Sequence, residues 1–147
     1  MELPPLSDPY MPVLTARPPE DLFEALHQSV PNQLRPDSLA ACPAWIAGWR
    51  LLELGYFWEA HEVWEPVWMA LPPNDAARHA VRAAIQLANA ALKLRMGRQG
   101  AAQRLCSLAR EAAGRANGAA APEGWHDLFR THLEAVEGRF EVLQNNA

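Results

Sequence analysis

From Asp75 to Met96 the chain runs for 22 residues without a glycine or a proline, and eight of them are alanine. A run this rich in strong helix formers propagates as helix. Small side chains let neighbouring helices approach closely, so it is expected to be the central helix of a bundle. Its polar residues Arg78, Arg82, Gln86, Asn89 and Lys93 recur every three or four positions, a single stripe on an otherwise apolar helix. Asn74 is the expected N-cap and Gly97 the expected stop.

Helical spacing also covers Pro19 to Val30, Pro43 to Gly55, Tyr56 to Leu71, Arg98 to Ala116 and Trp125 to Leu143, with a turn expected at 117–124. Nothing alternates as a strand does. Six of the 13 prolines lie at or before Pro19, which disfavours packed structure there. The reading is therefore all-α: an extended Pro-rich arm over residues 1–18 and a single-domain helical bundle of five or six helices over 19–147.

A length of 147 residues suits one domain with an ordinary core. A formal charge of −4 argues against a nucleic-acid binder, whose electrostatic footprint is a basic face. No uninterrupted apolar run is long enough to cross a membrane, and the start MELPPLSDPY lacks the basic flank and apolar stretch of a signal peptide. A soluble, cytoplasmic protein is expected. Cys42 and Cys106 belong to no CxxC pair and read as small buried hydrophobes. Residues 1–77 hold 3 basic and 11 acidic side chains, residues 78–147 hold 10 and 6. The halves should attract one another, within one molecule or across a homodimer.

The densest chemistry lies in YFWEAHEVWEPVW, Tyr56 to Trp68. On a helix, Trp58, His61, Glu62 and Glu65 share one sector, with Glu59 one turn before Glu62. His61 and Glu65 are four apart and can bond, while Glu59, Glu62 and Glu65 form a row of like charges that needs a cation, a proton or a basic partner. Arg82 and Gln86 are the expected opposite numbers. Pro66 removes the hydrogen bond to the carbonyl of Glu62, leaving an acceptor free beside the carboxylates. Trp64 and Trp68 are expected to pair on one face, while His27, His79, His126 and His132 read as unremarkable or surface histidines.

Two chemistries fit the motif. HEVWE matches the zinc-protease pattern HExxH up to its last position, where Glu65 replaces the second histidine, so a divalent metal on His61, Glu62 and Glu65 is one candidate. A histidine bonded to a carboxylate also suits acid–base catalysis by His61 and Glu62, although no nucleophile stands in a recognisable setting. The structural alternative is a polar network that fixes helix register, with tryptophans as core or interface anchors.

The run LLELGYFWEAHEVWEPVW followed by AAIQLANAALKLRMGRQGA resembles the DUF309 family over about residues 49–109. The resemblance implies an all-helical fold and no established activity. Its hallmark positions fall on Gly55, Phe57, Glu59, Ala60, His61, Glu62 and Glu65, and on Ile85, Gln86 and Ala88. Ala83, Arg98 and Pro66 depart from the family pattern. The resulting expectation is a ligand-binding or protein-interaction role centred on the motif, with Glu59, His61, Glu62, Glu65, Arg82, Gln86 and Trp58 as its polar site. The small-molecule or protein partner is unspecified, and a metal-dependent or acid–base enzyme is the alternative.

Overall fold

The computed structural model describes residues 2–116 and 124–145, so most of the turn expected at 117–124 lies outside the described residues. The fold is an all-α bundle: α1 (Glu24–Gln28), α2 (Pro43–Glu53), α3 (Phe57–Ala70), α4 (Ala76–Arg95), α5 (Gln99–Arg115) and α6 (Trp125–Asn145), with a 3₁₀ turn over Pro36–Ala41. No strand forms among the described residues. None of the described helices is long and apolar enough to cross a membrane.

Helix ends follow their local chemistry. After α2, Gly55 takes φ +87°, the Tyr56 N–H donates to the carbonyl of Leu51 at 2.8 Å, and the Gly55 N–H donates to Leu52 at 3.0 Å. This is the double bond of a Schellman stop, and the left-handed residue it needs is cheapest as glycine. Gly97 ends α4 in the same way, with Arg98 N–H on Lys93 and Gly97 N–H on Leu94. At the start of α4 the cap is one residue later than expected: Asp75 accepts from the Ala77 N–H at 2.8 Å, while Asn74 adopts φ 65° in the turn before it. The first expected helix is shorter than its apolar spacing implied, reduced to the five residues of α1.

The long alanine helix is central. It packs most extensively on α5, then on α3, and also meets α6. Ala80, Ala83, Ala84, Ala88 and Ala90 are fully buried along it. Between α2 and α3 the core is aromatic: Trp45, Trp49 and Trp64 lie 4.9–5.8 Å apart between ring centroids, and the indole of Trp64 donates to the Trp45 carbonyl at 3.1 Å. Gly48 makes this possible, because a Cβ there would stand 1.9 Å from Nε1 of Trp64. Trp64 therefore pairs with α2 and not with Trp68. Trp68 instead lies beneath the guanidinium of Arg78, 4.1 Å from the ring centroid.

The N-terminal residues make no helix before α1 and run across the start of α3. Leu3 and Leu6 pack on the core, the Tyr56 hydroxyl donates to the Ser7 carbonyl at 2.6 Å, and Tyr10 meets Trp58 edge-on at 4.8 Å.

Candidate functional site

Helix α3 divides its faces. Ala60, Val63, Trp64 and Val67 are buried in the core, while His61 and Glu62 are partly exposed and Glu65 is exposed. The imidazole of His61 sits between two carboxylates, Nε2 at 3.3 Å from Glu65 and Nδ1 at 3.6 Å from Glu62. One ligand atom from each of these three residues falls within 4.8 Å of the others, the sole such cluster among the described residues. Glu62 and Glu65 also line a groove of about 470 Å³ whose other walls come from the end of α1 and the loop after it, including His27, Val30, Pro31 and Asn32. A smaller cleft of about 100 Å³ adjoins it, and it too is lined by His27 and Glu62.

The carbonyl that Pro66 leaves without a helical donor is answered by an unexpected residue. His27 Nε2 lies 3.1 Å from the Glu62 carbonyl, which fixes this nitrogen as the N–H donor because a carbonyl only accepts. Far from unremarkable, His27 fastens α1 onto α3 at the motif and forms one wall of the groove. Its sequence signal was indirect: the proline announced a free acceptor, but nothing local said which donor, 35 residues away, would take it.

Glu59 points elsewhere. It is 2% exposed, the only buried charged side chain among the described residues. One oxygen accepts from the Tyr10 N–H at 2.9 Å and the other has no partner. Burial pushes its carboxyl above the usual range, against the opposing pull of the Tyr10 bond and of Arg95. The N-terminal segment thus covers Glu59, while Trp58, edge-on to Tyr10, also lines the smaller cleft with His27 and Glu62.

The basic stripe of α4 is turned differently from the sequence expectation. Arg78 reaches α3, where Nε donates to the Trp68 carbonyl at 3.0 Å. Arg82 is exposed and Gln86 partly buried, and neither forms a hydrogen bond or ion pair with the motif among the described residues. Helix α4 packs more extensively on α5 than on α3, and the middle of its stripe makes no bond to His61 among the described residues. The basic group that bears on Glu59 is Arg95, near the end of the same helix.

For covalent chemistry the clefts beside the motif offer no hydroxyl or thiol. Both cysteines are buried, and burial pushes the Cys106 thiol up to about 11, so it is not a ready nucleophile.

These features describe an all-α bundle with an imidazole held between carboxylates on one helix face. The family model described as "Domain of unknown function (DUF309)" matches residues 45–105. The chain is similar to that family over this segment, which spans the motif helix and α4 whole. No curated protein and no solved structure matches the chain significantly.

Proposed function

We propose that the groove between α1 and α3 binds a small positively charged ligand, anchored by Glu62 and Glu65 with His61 between them. The observation that carries this reading is the convergence within 4.8 Å of one donor atom each from His61, Glu62 and Glu65, the two glutamates being part of the groove wall. Two carboxylates so close repel, and a cation relieves that repulsion. One imidazole nitrogen with two carboxylate oxygens suits a divalent metal. Ligands at ~2.1 Å from one tetrahedral ion stand about 3.4 Å apart, and His61 Nε2 and Glu65 Oε2 are 3.3 Å apart. An organic amine meets the same acids through hydrogen bonds, and Val30, Pro31 and Met69 offer its carbon chain an apolar wall.

Calorimetric titration of untagged protein with Zn²⁺, Mn²⁺ and butylamine tests this and distinguishes the two sources of charge. The expected result is saturable binding of at least one probe, weakened tenfold or more by His61→Ala and by Glu65→Gln. Absence of heat and of any thermal shift with all three at millimolar concentration sinks the reading.

A further inference from the structure

A separate cleft, of about 440 Å³, lies where the end of α2 and the start of α3 meet α4 and α6. Its volume is in the range of about 300–1,000 Å³ usual for small-molecule sites. It shares no residue with the groove beside His61. The buried part of its lining is apolar, made by Leu52, Leu87, Ala91 and Val136. The exposed part carries charge: Arg95, Arg139 and Glu53.

The two arginines differ in how they are held. Arg95 is fixed, with Nη1 donating to the Gly55 carbonyl at 2.6 Å and the guanidinium 4.0 Å from the centroid of the Phe57 ring. Gly55 suits this approach, since a Cβ there would come within 3.1 Å of Nη2. Arg139 is exposed on α6 and near enough to repel the charge of Arg95. Among the described residues, neither guanidinium closes an ion pair with a carboxylate. Glu53 lies 3.9 Å from Arg50 on its own helix, and Glu59, although it attracts Arg95, is buried beneath the Tyr10 N–H.

Two positive charges above an apolar floor, one of them pre-positioned by a backbone carbonyl and an aromatic face, match one kind of occupant. We propose that this cleft binds a small amphipathic carboxylate, with its head at Arg95 and Arg139 and its hydrocarbon body on Leu52, Leu87, Ala91 and Val136. A guanidinium presents parallel N–H donors spaced for a carboxylate, so an anionic head gains specificity as well as attraction. Each methylene added to the ligand strengthens binding by up to about fourfold until the floor is covered.

The test is calorimetric titration of the full chain with butanoate, hexanoate and octanoate, with octanol and octylammonium as controls of charge. Affinity is expected to rise along the carboxylate series and to exceed that for octanol and octylammonium at least tenfold. Arg139→Gln, an exposed change, should remove that preference while leaving the weak octanol affinity in place. Ala135→Trp, at the exposed lip, should block all three carboxylates, and His61→Ala should change nothing, which separates this cleft from the groove. Equal binding of octanoate and octanol overturns the anionic assignment. No octanoate binding at millimolar concentration, or an unchanged octanoate affinity in both cleft variants, overturns the site itself.

Discussion

His132 lies half-buried with its ring stacked on Trp49, 6.3 Å between centroids. Burial lowers its proton affinity below that of a free imidazole, and the nearby carboxylate of Glu53 only partly restores it. Arg95 and Arg139 line the same cleft, so they too disfavour a further positive charge there. Because the folded value lies below the unfolded one, the unfolded chain binds more protons in this range. The stabilisation is complete above the ordinary imidazole value of about 6.5 and is lost as pH falls through the folded value. Urea unfolding of the parent and of His132→Gln at pH 7 and pH 5 checks this. The parent should lose more stability on acidification than the variant. If the two proteins lose the same amount, His132 is not the buried base described.

At the scale of elements, the contact between α2 and α3 rests on a missing side chain. Gly48 gives the Trp64 indole its place, and any Cβ there must push the ring or the helix aside. Alanine is the better helix former by up to about 1 kcal/mol, but overpacking a rigid core typically costs about 1–3 kcal/mol. With ring atoms only 1.9–2.5 Å from the added carbon, the upper end of that cost applies. Gly48→Ala is expected to destabilise by a net of about 2 kcal/mol, read as a lower urea midpoint at unchanged slope; a variant as stable as the parent would show that α2 and α3 can separate freely. This contact also marks how far the sequence was legible. Helix identity, the glycine stops at Gly55 and Gly97, and the carbonyl freed by Pro66 are local consequences of residue type and could be read from the chain. The pairing of His61 with Glu65 follows from helical spacing alone. His27 on Glu62, Tyr10 on Glu59 and Trp64 over Gly48 depend on segments 16 to 49 residues apart, and no periodicity encodes those meetings. The stripe on α4 was recognisable, but its azimuth was not, because the alanine face could have packed in several rotations.

The whole molecule is divided by charge: the first 77 residues carry an excess of eight acids and the remainder an excess of four bases. Yet every ion pair among the described residues stays within its own half. Where arginines of the second half reach the first, they end on carbonyl oxygens, Arg78 on Trp68 and Arg95 on Gly55. Attraction between the halves therefore acts as a diffuse field between separated charges, and such a field is sensitive to salt. The screening length falls from ~30 Å at about 0.01 M to ~3 Å at about 1 M ionic strength, from the width of a small domain to less than one ion pair. Screening also relieves repulsion inside each half, but minority charges, three bases in the first and six acids in the second, already temper that repulsion. The melting temperature should consequently fall by a few degrees as sodium chloride is raised across this range. Repeating the measurement over a hundredfold range of protein concentration decides where the attraction operates. If it joins the halves of one chain, the salt effect is the same at every concentration; if it joins two copies as a homodimer, melting also rises with concentration, and salt abolishes that rise. A melting temperature that climbs with salt at all concentrations would mean that repulsion within the acidic half outweighs both.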